Sequence, residues 1–185
     1  LSHGIHYYKA KFFPRMARAM LNITVGHRNV SSITVLDPFV GSGTTLLEAS
    51  QLGIPNTGVD IDPLSVLISQ AKLGLLHSNS VDLARICSDI HVHLSDSDVI
   101  QHNLPEIIFP DWLTKNRKMT DNLAQQLIQE IDTLRQAIWH IDAPYRDIVR
   151  VVLSDAITRR IRFRFLGTGS GRFSLTLPKT PLQTL

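Results

Sequence analysis

The chain has 185 residues, of which 43% are hydrophobic and 19% charged, with a net charge of +3. That length suits one domain with a substantial core, and no apolar run approaches the ~18 residues that a membrane span needs. The start has no secretory apolar segment, and the single cysteine, Cys87, cannot close an internal disulfide, so the expectation is a cytoplasmic protein without a membrane partner.

In chain order, the first pattern is Phe12-Phe13-Pro14 leading into an amphipathic helix with Met16, Ala19, Met20 and Ile23 on its apolar side. For Phe12 and Phe13 a hydrophobic anchor competes with a role at a site; the anchor is preferred for Phe13, and the two readings stand level for Phe12. Ser31 to Leu36 reads as a strand, with Ile33, Val35 and Leu36 apolar and Thr34 β-branched. Asp37 ends it, the turn Gly41-Ser42-Gly43 follows, and Thr44-Thr45-Leu46-Leu47-Glu48-Ala49 opens a helix closed by Gly53.

At such a strand-turn-helix junction, glycine backbone and the free N–H groups of a helix start can wrap a small ligand closely. A phosphate-binding P-loop would need a lysine beside its last glycine, yet none occurs between Lys11 and Lys72. A dinucleotide fingerprint would need Gly or Ala at position 46, which is Leu. A turn that serves packing alone is the remaining alternative. Against it stands a second acidic strand tip: Ile54 to Val59 can form the next strand, ending in Asp60-Ile61-Asp62-Pro63. Asp60 follows Asp37 by 23 residues, near the spacing at which a doubly wound sheet presents an acid to a ribose. Asp62 precedes Pro63 and reads as the N-cap of a helix with Leu64, Leu67, Ile68, Ala71 and Leu75 at apolar spacing.

Farther on, Val81–Leu94 reads as a helix with Cys87 on its buried face. His91 and His93 point to different sides of it, so no metal site is expected. Leu123, Leu127, Ile131, Leu134 and Ile138 define a long amphipathic helix, and Asp142 then caps another, with Pro144 in its first turn and Ile148, Val151, Val152, Ala156 and Ile157 facing inward. Arg159, Arg160, Arg162 and Arg164, interleaved with Phe163 and Phe165 and followed by Arg172, suit phosphate contact; a helix end complementing its dipole would explain Arg159 and Arg160 alone. Lys9, Lys11, Arg15 and Arg18 form a second basic group. The end of the chain, rich in Gly, Ser, Thr and Pro, reads as a flexible tail.

Asp37-Pro38-Phe39-Val40-Gly41-Ser42-Gly43-Thr44-Thr45, then Gly58-Val59-Asp60-Ile61-Asp62-Pro63, resembles the S-adenosyl-L-methionine (AdoMet) binding half of DNA methyltransferases that modify N6 of adenine or N4 of cytosine. Upstream, His6-Tyr7-Tyr8-Lys9-Ala10-Lys11-Phe12-Phe13-Pro14 is similar to that family's His-x-Tyr-x-x-Lys-Phe-x-Pro element. The resemblance covers about residues 3–76. It implies an α/β, Rossmann-like AdoMet-dependent methyltransferase sheet with an appended helical region. The implied division is 1–76 for cofactor binding, 77–166 as a helical lid or target-recognition region, and 167–185 as the flexible tail of a truncated chain. It also implies that Asp37, Pro38, Phe39, Gly41, Ser42 and Gly43 surround AdoMet, that Thr44 and Thr45 approach its carboxylate, and that Asp60, with Ile61 beside it, takes the ribose. Lys11, Phe12 and Pro14 flank the same pocket by this resemblance.

The same family performs transfer with an Asp/Ser/Asn-Pro-Pro-aromatic motif after a later strand, and no Pro-Pro dipeptide occurs in these residues. Asp142-Ala143-Pro144-Tyr145 is the nearest substitute, but a helical pattern rather than a strand precedes it, so it reads as a decoy. The expected activity is methyl transfer to an exocyclic amino group of DNA, as in restriction-modification, with Arg159, Arg160, Arg162 and Arg164 as nucleic-acid contacts. Alternatives are an RNA base amino-methyltransferase or a non-catalytic AdoMet- or DNA-binding fragment. Adenine or cytosine, target sequence and oligomeric state are not set by these residues.

Overall fold

The computed structural model describes residues 2–8, 11–95, 102–108, 120–160, 162–165 and 173–176. Among these residues there are six α-helices: α1 (Pro14–Val25), α2 (Thr44–Gln51), α3 (Pro63–His77), α4 (Ser80–Ser95), α5 (Asp121–Trp139) and α6 (Tyr145–Arg160). Strands β1 (Val35–Asp37) and β2 (Asn56–Gly58) pair in parallel, and β3 (Arg162–Phe165) and β4 (Phe173–Thr176) pair antiparallel. The described residues thus form a mixed α/β structure with a small parallel sheet, not a full Rossmann sheet. No helix among them is long and apolar enough to cross a membrane.

Contacts divide the chain into two units, Leu1–Leu83 with Asp142–Asp155, and Ala84–Ile141 with Ala156–Leu185. Residues 142–155, placed by sequence in a helical region spanning 77–166, therefore belong with the βαβ unit. Within the region 77–166, read from sequence as helical, Arg162–Phe165 is a strand. Its partner, Phe173–Thr176, falls in the stretch read as a flexible tail: Phe163 and Phe165 pair with Leu175 and Phe173, a β-rich composition that the Gly, Ser and Pro count obscured.

In the first unit, β1–α2–β2 is the element that positions the site. Its strands are shorter than the apolar pattern predicts. Asn29 accepts a hydrogen bond from Ser31 N at 3.0 Å and caps a 3-10 turn over Val30–Ser32, which takes Ser31 and Ser32 out of the expected strand. Val35 pairs with Asn56, Leu36 with Thr57 and Asp37 with Gly58. Gly58 is required by close packing: a Cβ there would lie 2.6 Å from both Leu46 Cδ1 and Val40 Cγ2. Leu46, Leu47, Ala49 and Ile54 are buried around this sheet.

Ile68 and Ala71 of α3 and Ile148 and Val151 of α6 form a second cluster, with Ile5, Tyr8, Leu75 and Tyr145 against it. The apolar face expected on α1 is the exposed one, with Met16, Met20 and Ile23 at 50%, 54% and 81% exposure. Phe13, read as an anchor, is 63% exposed. Ala17 is the buried residue of α1, because the helix lies against α2 through its small and charged side. In the second unit the inward position on α4 belongs to Ile86, and Cys87, expected inside, is exposed. There α5 begins at Thr120, whose hydroxyl accepts from Leu123 N, and Gln136 exchanges two hydrogen bonds with the backbone of His102 at 2.8 and 3.0 Å.

Candidate functional site

The turn after β1 is held at nearly every peptide. Asp37 Oδ1 accepts from Phe39 N at 3.1 Å, which bends the chain at Pro38. Val40 N donates to Val59 O, and Gly43 N to Val40 O. Gly41 and Gly43 have φ of 48° and 73°, the left-handed region that glycine enters without penalty. At Gly43 space forbids a side chain as well, since a Cβ would stand 2.8 Å from Ser69 Oγ. Helix α2 then begins with no side chain capping it, so its first N–H groups stay available to a ligand.

The second acidic tip is joined to this turn. Asp60 Oδ2 accepts from Gly41 N at 2.7 Å and Oδ1 from Asp62 N at 2.9 Å. These backbone donors, Asp62 first and Gly41 next, hold the Asp60 carboxyl below its ordinary value. Asp62 is the N-cap of α3: Oδ1 accepts from Leu64 N at 3.0 Å and Oδ2 from the Ser65 hydroxyl at 3.1 Å.

The segment before α1 folds over the same place. Lys11 Nζ donates to the carbonyls of His3 and His6 at 2.7 and 2.9 Å, curling the segment around its ammonium. His6 is buried, with Nε2 3.2 Å from Ser154 Oγ, and Tyr7 N donates to Asp155 Oδ1. Buried Glu48 of α2 binds both His3, at 2.7 Å, and Arg18. Burial alone would raise its carboxyl, but the Arg18 and His3 hydrogen bonds outweigh that and hold it below the ordinary value.

Between the turn and this segment lies a cavity of about 280 Å³, lined by Tyr8, Lys11, Phe12, Asp37, Phe39, Val40, Gly41, Ser42, Thr44 and Thr45. Of the residues singled out by sequence, Lys11, Phe12, Asp37, Phe39, Gly41, Ser42, Thr44 and Thr45 meet there. Pro14, Pro38, Gly43, Asp60 and Ile61 are not in its lining; Asp60 reaches the site through Gly41, and the Ile61 side chain is wholly exposed. The donor set fits AdoMet in kind: a carboxylate at the strand tip, backbone and hydroxyl donors at the helix start, and the ring of Phe39, 86% exposed, beside them.

Four residues escaped the sequence reading. Tyr8 lines the cavity, and its hydroxyl is 3.0 Å from Ser65 Oγ. Ser65, Ser69 and Lys72 are buried, at spacings of four and three on one side of α3. Ser69 Oγ reaches Gly41 O at 3.1 Å, and Lys72 Nζ donates to Ser42 O at 2.5 Å. Polar residues recurring at helical spacing on an otherwise apolar helix were the available signal.

Asp142, Pro144 and Tyr145 lie at the start of α6, preceded by α5 and not by a strand. Tyr145 donates to Asp82 Oδ2 at 3.0 Å, and Pro144 packs on Gly74, where a Cβ would come within 3.0 Å of it. Arg159 and Arg160 end α6 and Arg162 and Arg164 lie on β3, but their side chains fall outside the described residues. In the second unit the His93 and His140 rings meet at a tilt of 52° with centroids 4.2 Å apart; among the described residues no three His, Cys, Asp or Glu are placed to hold a metal.

The chain is 46% identical over 71 residues to the Type II methyltransferase M.MjaII of Methanocaldococcus jannaschii, covering 38% of this chain and 13% of that protein. It is 31% identical over 138 residues to the Type II methyltransferase M.MvaI of Kocuria varians, covering 70% of this chain and 30% of that protein. A tRNA (guanine(10)-N2)-dimethyltransferase of Pyrococcus abyssi is 46% identical over 62 residues, 34% of this chain and 17% of its own. No family model and no solved structure matches. The chain spans less than a third of the length of these relatives. Over that part, the chain is similar to Type II DNA methyltransferases, enzymes that use AdoMet as methyl donor.

Proposed function

We propose that this chain supplies the AdoMet-binding part of an enzyme that methylates an exocyclic amino group of a DNA base, N6 of adenine or N4 of cytosine. The observation that carries the reading is the joining of two acidic strand tips at one glycine turn, Asp60 to Gly41 N at 2.7 Å, beside a cavity closed by Tyr8, Lys11 and Phe12. AdoMet bound there supplies an electrophilic methyl group. In this assignment Thr44 and Thr45 receive its carboxylate, Asp37 its ammonium, and Asp60 its ribose. Each Asp60 oxygen already accepts one backbone N–H and keeps a lone pair for a hydroxyl. In the same reading β1–α2–β2 is the core of a Rossmann-like sheet. Arg159, Arg160, Arg162 and Arg164 are assigned to nucleic-acid phosphates, with DNA as the partner.

No residue of this chain is assigned to the acceptor base. Pro144 and Tyr145 have a sufficient role in packing α6 on α3 and α4's first turn, and the Asp142 carbonyl accepts from Arg146 N at the start of α6. A second reading, methylation of an RNA base, is favoured by the similarity to the tRNA (guanine(10)-N2)-dimethyltransferase of Pyrococcus abyssi. The test has two stages. Calorimetric titration of the chain with AdoMet should show saturable binding; its absence sinks the cofactor assignment. The full-length natural protein, given methyl-labelled AdoMet with duplex DNA or with tRNA, should label DNA. Label in tRNA alone would replace this reading with the second.

A further inference from the structure

Burying an ammonium is unfavourable unless something is gained from its position. Lys72 is fully buried, and among the described residues no carboxylate pairs with it. What it binds is the carbonyl of Ser42, in the middle of the glycine turn. A leucine or methionine would fill that space more cheaply, so packing does not account for the charge.

The turn is pinned peptide by peptide. Asp60 holds Gly41 N, and Ser69 holds Gly41 O. The next peptide is held at both ends, its carbonyl by Lys72 and its Gly43 N–H by Val40 O. In a trans peptide the N–H points opposite to the C=O. Drawing the Gly41 carbonyl toward α3 therefore turns the Ser42 N–H away from α3, in a residue that lines the cavity. With Gly41 N and Gly43 N already donated inside the turn, the Ser42 N–H and the uncapped start of α2 beside it are what can receive an anionic group.

We propose that Lys72 is a positioning residue of the cofactor site: its ammonium holds the Ser42 carbonyl on the α3 side and so sets the backbone that receives the carboxylate of AdoMet. The inference rests on the AdoMet reading above. Burial, with the charge of Lys11 adding to it, lowers the Lys72 pKa to about 8, so the grip is made by a group that titrates within an accessible range.

The experiment compares the wild type with Lys72→Met, titrating each with S-adenosyl-L-homocysteine at pH 7 and pH 9.5, with thermal unfolding to show that both are folded. At pH 7, K72M should bind roughly tenfold more weakly, the loss of about one charge-assisted hydrogen bond. At pH 9.5 the wild-type lysine is largely neutral and the gap should close to about twofold. Titration of the ligand's own amino group enters both proteins equally and cancels. Equal affinity at pH 7, or a gap of the same size at both pH values, overturns the proposal. If K72M does not fold, side-chain spectra of the lysine-labelled wild type carry the test: the Lys72 ammonium signal should titrate upward on ligand addition, and an unmoved titration overturns the proposal. Binding by the wild type with an unchanged variant removes this inference alone, whereas no binding by the wild type removes the AdoMet reading with it.

Discussion

Gly43→Ala and Gly53→Ala form a matched pair that isolates how tightly the turn is packed. Both glycines have left-handed φ, 73° and 72°, so alanine pays the same backbone penalty at each, about 1–2 kcal/mol. Their surroundings differ. Around Gly53 nothing lies within 4 Å of a new Cβ, while at Gly43 it would meet Ser69 Oγ at 2.8 Å, Cβ at 2.9 Å and Cα at 3.0 Å. A backbone Cα cannot rotate away, so α3 or the turn must shift, at an overpacking cost of about 1–3 kcal/mol. G53A should therefore destabilise by about 1–2 kcal/mol and G43A by about 2–5 kcal/mol. Urea unfolding of the two variants and the wild type, compared at equal m-values, measures both losses. AdoMet titration adds a second readout: G43A should weaken binding at least tenfold and G53A should leave it unchanged. If G43A is no more destabilised than G53A, or binds AdoMet normally, the close approach of α3 to the turn is not what shapes the site.

Asp60→Ala should weaken AdoMet binding at least tenfold in the same titration, since it frees Gly41 N and removes the ribose acceptor, while Asp62→Ala should mainly cost the α3 cap, about 0.5–2 kcal/mol in urea unfolding; equal losses of affinity would overturn the ribose assignment. Glu48 has a folded pKa below its ordinary 4.5, so its stabilisation is complete above that value and lost as pH falls through the folded pKa. Glu48→Gln should accordingly flatten the loss of stability as pH falls below about 4.5, and an unchanged acid limb of the melting curve would contradict the His3–Glu48–Arg18 account. Tyr145→Ala should cost about 2–4 kcal/mol of stability, from lost core packing and the Asp82 hydrogen bond, and leave methyl transfer by the folded full-length protein within about twofold; a folded but inactive variant would move Tyr145 into the reaction. Neutralising Arg162 and Arg164 together should reduce the salt slope of duplex binding by about two units, and an unaltered slope would assign the cluster to solvation.

Features local in the chain can be read from the order of residues alone. Asp37, Gly41, Gly43 and Thr44 follow one another within eight residues, and turn chemistry and helix starts depend on such neighbours, so the turn was legible before any coordinates. The Asp62 N-cap and the helices α3, α5 and α6 were legible for the same reason: their signals repeat within a turn or two. Tertiary structure decided what depends on partners distant in sequence. Met16, Met20 and Ile23 make a proper amphipathic face, yet periodicity states only that a face exists, and α1 meets α2 through Ala17 and Arg18 instead. Cys87 and Ile86 are neighbours on one helix, and which of them turns inward depends on what packs there. Asp60 reaches Gly41 across 19 residues, and Lys72 reaches Ser42 across 30. An apolar helix carrying Ser65, Ser69 and Lys72 shows three interruptions in sequence; folded, Ser69 and Lys72 hold the glycine turn and Ser65 meets Asp62 and Tyr8, because burial leaves a polar group no favourable place except on another polar group.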